Sequence, residues 1–323
     1  MLHASVKFAL LLAASELAVA ASAASPSSID LPGDRVFPEN ITASRDGTLY
    51  VGSLGAGGVI RINPKSGAAQ QWIKPGEFGS RSIFGVYADD RSDTLWTCSN
   101  DLSARGVIVP GSGLPSSLTG FDLKTGKGKI TVPLPGTHPL CNDMVVGPDG
   151  SVLVTDSHNP QILRLAPGSK QFEVFVSSPE WEPAPGKAGL DGIAFGTDGN
   201  LYVDTFSAGE IFRIAIEAGK PGKVTRLTAP RQMMLTDAMR PFGRNSFLII
   251  EGAGRLDRIR IDGDAFSVET IKDGFAGPTA VAQVGKAAWV SEGQLQSLSG
   301  ASNTDHGPRL PFRVYSVPLP SKQ

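Results

Sequence analysis

The stretch Gly189–Phe206 reads GLDGIAFGTDGNLYVDTF: an acidic residue, a short apolar strand, an Asp-Gly turn and a second strand of apolar, β-branched and aromatic residues. Asp-Gly between two such strands predicts a hairpin, because both central residues of a type I′ turn need positive φ. The same layout recurs in Phe37–Ser53 (FPENITASRDGTLYVGS) and Leu140–Ser157 (LCNDMVVGPDGSVLVTDS). The chain is therefore built on a repeated hairpin.

Three weaker copies keep the layout without the Asp-Gly turn: Ser82–Ser99, Leu235–Gly252 and Pro278–Gly293. The copies begin roughly 43 to 58 residues apart, close to the length of a four-stranded propeller blade. We therefore predict an all-β fold, a six-bladed β-propeller with four-stranded blades. The last copy offers only Pro311–Pro318 as a third strand, so we expect Ile29–Arg35 to supply its fourth strand and close the ring between the N- and C-terminal parts of the chain.

Composition narrows the class of protein. The chain has 323 residues, a formal net charge of -1, 38 Gly and 24 Pro. The near-neutral balance gives no reason to expect a nucleic-acid partner or an anionic membrane surface. Frequent Gly and Pro suit a chain that turns often. Length alone suggests two domains, but a closed all-β fold reaches this size as one, so we predict a single propeller domain over residues 25–323.

The N-terminal residues 1–24 resemble a secretory signal peptide. An apolar run, Phe8–Ala20, follows a weakly basic start and leads to the small residues Ala21-Ser22-Ala23, which fit a cleavage site. Glu16 interrupts the run, and an N-terminal membrane anchor is the alternative. We expect an exported protein, secreted or periplasmic, with no membrane span in the mature chain. The sequence leaves the oligomeric state open.

The chain contains two cysteines, Cys98 and Cys141, near strand ends in adjacent repeats. In an exported protein such a pair can form a disulfide. Two buried free thiols are the alternative, and we favour the disulfide.

The innermost strand of each blade lines the channel of a propeller, so a residue at its start faces the axis. Across the six repeats that position holds Glu39, Gly85, Asn142, Asp191, Asp237 and Thr279. Crowded carboxylates are costly to keep ionised without a partner, and no Lys or Arg occupies this position. We therefore predict one bound divalent metal. Oxygen ligands suit Ca²⁺, Mg²⁺ or Mn²⁺, and a flexible site with water ligands favours Ca²⁺. The alternative for each residue is a local hydrogen bond to its own backbone.

The segments PENIT…DGTLYVG, CNDM…PDG…LVTD and LDGIAFGTDGNLYV resemble the regucalcin/gluconolactonase (senescence-marker-protein-like) family of six-bladed propellers. The resemblance implies a lactonase supported by Ca²⁺ or Zn²⁺. It makes Glu39 the first-blade acid, Asn142 a substrate contact and Asp237 a ligand and proton acceptor. The fourth-blade ligand of the family is usually Asn, so Asp191 is a departure that adds a negative charge.

Such a site predicts a hydrolase that opens a small-molecule lactone or ester. Glu39, Asp191 and Asp237 would hold the metal, Asp237 would be the base, and Asn142 would orient the substrate. Two alternatives stay open: a non-catalytic Ca²⁺-stabilised propeller that binds a protein or glycan, and a strictosidine-synthase-like enzyme without a metal. The sequence has no nucleophile elbow of the Gly-x-Ser-x-Gly type at a strand–helix junction.

The long connections Asn100–Ser117 and Ser177–Gly189 are rich in Gly, Pro and Ser, and we expect them to form rims over the site. His138 and His158 flank the third hairpin and could reach the same channel mouth, but we favour surface positions for both. Phe84 and Trp181 are candidates for an apolar pocket lining, with packing in the core or rim as the alternative.

Overall fold

The structure is a computed structural model that describes residues 26–298 and 307–321. The predicted signal peptide, residues 1–24, lies outside the described residues. In chain order the strands are β1 (Ser28–Asp30), β2 (Pro38–Ala43), β3 (Leu49–Ser53), β4 (Val59–Asn63), β5 (Ala68–Ile73), β6 (Ser82–Asp89), β7 (Thr94–Asn100), β8 (Ser117–Asp122), β9 (Gly128–Pro133), β10 (Cys141–Val146), β11 (Val152–Asp156), β12 (Gln161–Leu165), β13 (Glu173–Ser177), β14 (Leu190–Phe195), β15 (Leu201–Thr205), β16 (Glu210–Glu217), β17 (Lys220–Arg226), β18 (Thr236–Pro241), β19 (Ser246–Glu251), β20 (Arg255–Asp262), β21 (Ala265–Lys272), β22 (Pro278–Val284), β23 (Ala287–Glu292) and β24 (Arg313–Pro318). Short 3₁₀ helices in the connections are Glu77–Gly79, Ser103–Arg105, Pro179–Trp181 and Leu295–Ser297.

These strands form six antiparallel sheets of four strands each. Blades 1 to 5 are β2–β5, β6–β9, β10–β13, β14–β17 and β18–β21, and blade 6 is formed by β22, β23, β24 and β1. The innermost strands β2, β6, β10, β14, β18 and β22 contact one another in that order, and β22 contacts β2 again. The predicted six-bladed β-propeller is confirmed.

The ring closes where the two ends of the chain pair. Ser28, Ile29 and Asp30 of β1 face Tyr315, Val314 and Arg313 of β24 in antiparallel register. Arg313 Nε also donates to Asp30 Oδ1 at 2.7 Å. The predicted closure is confirmed, although both strands are shorter than predicted and β1 begins one residue earlier.

Every innermost strand carries an extra residue close to its start. In blade 1, Pro38 pairs with Ser53 but Ile41 pairs with Val51, so the residues between them form a β-bulge. Equivalent bulges lie between Ile83 and Val86, Cys141 and Met144, Leu190 and Ile193, and Thr236 and Met239, and a shorter one lies between Pro278 and Ala280. The prediction that Gly85 represents blade 2 at the channel position was wrong by one residue: in the bulge register Phe84 is equivalent to Glu39.

Gly85 and Gly192 are the second bulge residues of their strands, and both lie against the next blade. A Cβ at Gly85 would be 2.3 Å from the carbonyl oxygen of Asn142. A Cβ at Gly192 would be 2.6 Å from the carbonyl oxygen of Asp237. Backbone cannot yield as a flexible side chain can, so both positions require glycine.

A disulfide joins Cys98 on β7 to Cys141 on β10, with the Cα atoms 5.1 Å apart. Both residues are fully buried, and the bond links blades 2 and 3. Asn100 reinforces the junction: its amide group donates to the Cys141 carbonyl at 2.8 Å and accepts from the Cys141 N–H at 3.1 Å. The predicted disulfide is therefore present.

None of the helices in the described ranges is long and apolar enough to cross a membrane.

Candidate functional site

The structure brings Glu39, Asn142, Asp191 and Asp237 together at one mouth of the channel. Each is the first bulge residue of its innermost strand, and each is only 3% to 5% exposed. We call the face of the ring at this mouth the site face. Asn142 Nδ2 donates to Asp191 Oδ2 at 2.9 Å and to Ser157 Oγ at 2.7 Å. The bulges explain the convergence, because an extra residue re-aims the strand next to it.

Burial and mutual repulsion dominate the electrostatics of this cluster. Burial raises the pKa of Glu39, Asp191 and Asp237 well above the usual carboxyl range. The negative charge of Asp191 raises the pKa of Glu39 and Asp237 further. The positive charge near these carboxylates is therefore too small to offset burial and their mutual repulsion.

Two oxygens of the cluster have no hydrogen-bond partner although they are buried: Glu39 Oε2 and Asn142 Oδ1. Unpaired buried acceptors are rare, so these two oxygens are open to a cation or an ordered water molecule. A hard cation fits, since carboxylate and amide oxygens are its usual ligands. Within residues 26–298 and 307–321, no group of three His, Cys, Asp or Glu side chains is arranged to hold a metal ion by itself. An ion here would therefore depend on Asn142 and on water as well as on the acids.

A fourth buried carboxylate, Asp204 on β15, was not predicted. It is fully buried, its Oδ1 accepts from the Gly192 N–H at 3.3 Å, and its Oδ2 has no partner. A Cβ at Gly192 would come within 2.5 Å of Asp204 Oδ2, so the glycine makes room for this acid. Burial, and then the charge of Asp191, raises the pKa of Asp204. In the sequence, this residue could have been recognised as a site candidate because it is the one acidic residue of the strand LYVDT.

An ionic layer that sequence reasoning also missed contains Asn40, Asp143 and Arg240. Arg240 Nη1 lies 2.7 Å from Asp143 Oδ2, with the Asp143 side chain completely buried. Arg240 Nη2 donates to Asn40 Oδ1 at 3.0 Å, and Asn40 Nδ2 donates to Asp143 Oδ1 at 3.4 Å. The positive charge of Arg240 lowers the pKa of Glu39 and Asp191, but burial outweighs it. The consecutive polar pairs Glu39-Asn40 and Asn142-Asp143 were the signal for a second layer.

A pocket of about 640 Å³ lies on the site face, between the rim loops of blades 2 to 5. It is lined by Arg105, Thr137, His138, His158, Glu182, Pro183, Ala184, Pro185, Gly186, Lys187, Ala188, Phe206, Ser207 and Leu235. His158 Nδ1 is 2.9 Å from the His138 carbonyl oxygen. A carbonyl can only accept, so Nδ1 carries the hydrogen and Nε2 of neutral His158 is an acceptor. His158 follows Ser157, which contacts Asn142.

The two aromatic candidates occupy different positions. Phe84 is 8% exposed and belongs to the main apolar core at the blade-2 channel position. Trp181 is 1% exposed and packs edge-to-face on Phe212 at 6.1 Å. Trp181 therefore packs the rim against blade 4.

A larger depression, with a volume of about 870 Å³, lies on the opposite face of the ring, between blades 1 and 2. It includes the Asp46-Gly47 turn region and carries Arg45, Arg61, Asp90 and Lys124. Charges of both signs are mixed there, and it contains none of the buried channel carboxylates. The smaller pocket contains none of these carboxylates either, but its His158 follows Ser157, which contacts Asn142, and its Leu235 lies two residues before Asp237. We therefore take the smaller pocket as the candidate site.

Known structures share this architecture. The Malassezia sympodialis allergen Mala s 1 matches with a TM-score of 0.68 and 16% identity over 91% of this chain and 96% of the allergen. A candidate gluconolactonase matches with a TM-score of 0.64 and 13% identity over 90% and 91%. Virginiamycin B lyase from Staphylococcus aureus matches with a TM-score of 0.60 and 16% identity over 90% and 98%. These similarities show the fold alone. No protein-family model and no curated protein matches the sequence.

Proposed function

We propose that the protein is a lactonase/esterase-type hydrolase, similar to the gluconolactonases, that opens a small-molecule lactone or related ester with the help of one divalent cation. The observation that carries the proposal is the pair of buried, unpartnered oxygens, Glu39 Oε2 and Asn142 Oδ1, in a cluster of acids with raised pKa values. A cation satisfies both oxygens and offsets the repulsion among the carboxylates.

Glu39, Asp191 and Asp237 would hold the ion, and Ca²⁺ suits an oxygen-only, partly hydrated site best, with Mg²⁺, Mn²⁺ or Zn²⁺ as alternatives. When bound, such an ion supplies Lewis acidity toward a carbonyl oxygen. Asp204 adds a further negative charge beside the cluster, which favours a divalent ion over a monovalent one.

The chain's own residues supply the other functions. Asp237 has one oxygen committed to the Ala238 N–H at 2.9 Å, which holds the carboxylate in a fixed orientation. Its other oxygen would accept the proton of the attacking water. Asn142 donates through Nδ2 to Asp191 and Ser157, so its free Oδ1 can accept a hydrogen bond from a substrate hydroxyl or contribute to the ion.

An exported location is part of the proposal. The Cys98–Cys141 disulfide supports it, since disulfides persist in oxidising compartments.

The test is hydrolysis of a panel of aldono-, γ- and aryl-substituted lactones, with chelator and with added Ca²⁺. We expect activity that disappears on chelation and returns with the ion. Asp237→Asn, assayed at a Ca²⁺ concentration that saturates the variant, should lose at least about a hundredfold in kcat. Asp262→Asn, on the exposed end of β20, is the matched control. Hydrolysis that chelator leaves unchanged would exclude the metal, and tight Ca²⁺ binding without any hydrolysis would favour a binding protein.

A further inference from the structure

The rim loop of blade 2, residues 101–116, is anchored by the buried Arg81. Arg81 Nη2 donates to the carbonyl oxygens of Ser99 at 2.8 Å and Pro115 at 2.7 Å. Arg81 also donates to the Leu114 carbonyl oxygen. At the start of the loop, Asp101 accepts from the N–H groups of Ser103 at 3.0 Å and Gly113 at 2.8 Å. Because both parts of the loop are tied to the blade, its position is well defined.

The rim loop of blades 3 and 4, residues 178–189, has an equivalent anchor in Trp181. This side chain is 1% exposed and packs on Phe212 of blade 4. The loop ends where the Gly189 N–H donates to the carbonyl of Ser157, the residue that contacts Asn142, at 2.8 Å. The Lys187 N–H closes a turn onto the Ala184 carbonyl at 2.9 Å.

The two anchored loops present one cation each to the same pocket: Arg105 from the first and Lys187 from the second. Both side chains are exposed, and within the described ranges neither forms an ion pair. Glu182 is the one carboxylate among the described lining residues, while His138 and His158 add two hydrogen-bonding rings. The pocket is therefore more positive than the chain as a whole, whose formal net charge is -1.

We propose that Arg105 and Lys187 form an anion subsite that selects substrates carrying a carboxylate or phosphate next to the reacting ring. The inference rests on the proposed lactonase function for the identity of the reaction, but the subsite itself is a binding site. Because the loops are anchored, only the two side chains and not the loop backbones lose conformational freedom on binding, which favours recognition of a small anion. Because both cations are exposed to solvent, the free protein has no desolvation cost for them.

The experiment compares γ-butyrolactone with its γ-carboxylate and γ-(phosphonooxymethyl) derivatives. The measured quantity is the ratio of kcat/KM for each anionic lactone to that for the neutral one. We expect a high ratio for the wild type, and a fall of about twenty-five-fold in the double variant Arg105→Met/Lys187→Met, because each unit-charge contact in water gives about a fivefold preference. The wild-type ratio should also fall as salt screens the charges.

The matched control is Lys65→Met/Arg244→Met, which removes two exposed cations from the opposite face and should keep the wild-type ratio. Whichever anionic derivative has the higher ratio identifies the chemical group that the subsite takes. A double variant with the wild-type ratios for both derivatives would overturn the subsite.

Failure of the lactonase proposal is separable from failure of the subsite. If no lactone is opened, calorimetric titration with the ring-opened hydroxy diacid of the γ-carboxylate tests binding alone. Binding by the wild type and control that weakens at least about tenfold in the double variant supports the subsite. Equal binding by all three proteins, or no binding to the wild type, refutes it.

Discussion

Asn142 on β10 and Asp191 on β14 are joined by a hydrogen bond of 2.9 Å from Nδ2 to Oδ2, and this bond crosses from blade 3 to blade 4. It is a direct side-chain link between two of the four residues at the channel mouth. The bond lowers the pKa of Asp191, yet burial and the charge of Asp143 outweigh it. One amide donor is therefore not enough to neutralise this carboxylate.

Asp191→Asn should separate the stability of the site from its capacity to hold a cation. Removing the charge relieves the repulsion on Glu39 and Asp237, so the metal-free protein should become more stable at neutral pH by about 1–2 kcal/mol. Ca²⁺ affinity should fall at least about tenfold, because a ligand charge is lost. Denaturant unfolding in chelator and calorimetric Ca²⁺ titration measure the two effects, with Asp262→Asn as the control. Unchanged Ca²⁺ affinity would remove Asp191 from the ligand set.

The raised carboxyl pKa values predict how stability depends on pH. A carboxylate whose pKa is higher in the folded chain binds its proton more tightly there, so its contribution to stability is lost as pH rises from its unfolded value of about 4 through the folded value. Glu39, Asp191, Asp204 and Asp237 all act in this direction. In chelator, the melting temperature should therefore fall as pH rises above about 5, and added Ca²⁺ should reduce the fall.

Glu251 changes stability with pH in the opposite direction, and this sets the lowest pH at which the prediction can be tested. Burial raises its pKa, but hydrogen bonds from Arg231 and its other partners outweigh burial and lower the pKa to about 2, so its contribution to stability is lost only as pH falls below about 4. The measurement should therefore stay above about pH 5, where Glu251 is ionised in both states. A melting temperature that rises with pH in chelator, or that Ca²⁺ does not change, would contradict the prediction.

Arg240 should be essential for stability only while Asp143 keeps its charge. Arg240→Met leaves a completely buried carboxylate without its ion-pair partner, which typically costs about 3–5 kcal/mol. Arg240→Met/Asp143→Asn removes both charges and should recover most of that loss. Urea unfolding of the two variants provides the test, and equal losses in the single and double variants would show that Arg240 acts through packing.

The disulfide should contribute to stability through the length of the loop that it closes. Cys98 and Cys141 are 43 residues apart, and a loop of this size corresponds to about 4 kcal/mol in the chain-entropy model. Cys98→Ala/Cys141→Ala should lower the free energy of unfolding by about that amount. Thiol titration of the unfolded wild type confirms that the bond is formed. A loss below about 1 kcal/mol would mean that the native contacts of Asn100 hold this junction without the bond.

Most of the fold could be predicted from the sequence because it repeats. Asp-Gly turns mark hairpin positions because their glycines, Gly47, Gly150 and Gly199, adopt positive φ. The preceding Asp residues do not, so the predicted type I′ geometry was wrong, but the recurrence of the turns still indicates the repeated blades. The same regularity located Glu39, Asn142, Asp191 and Asp237, since equivalent residues of a ring must converge. The disulfide was favoured on the same ground, because adjacent repeats become adjacent blades.

The remaining parts depend on register and on side-chain reach, which a repeat pattern does not specify. The bulge makes two successive residues oppose one, so counting along blade 2 selected Gly85 where the structure has Phe84. Asp204 reaches the cluster from a second strand past a glycine, and Arg240 pairs with residues of two other blades. Contacts between blades bring together residues such as Asn40 and Arg240, which are 200 positions apart, so no short stretch of sequence shows that they are neighbours.

Gly85 and Gly192 lie directly against the carbonyl oxygens of Asn142 and Asp237, the backbone of two residues at the channel mouth. The spacing between neighbouring blades at the site is thus limited by two residues without side chains. Alanine at either position would push the next blade outward and separate oxygens that must share one small ligand. Residues with no chemistry of their own therefore determine the bore of the channel, and with it the size of whatever the oxygens can enclose.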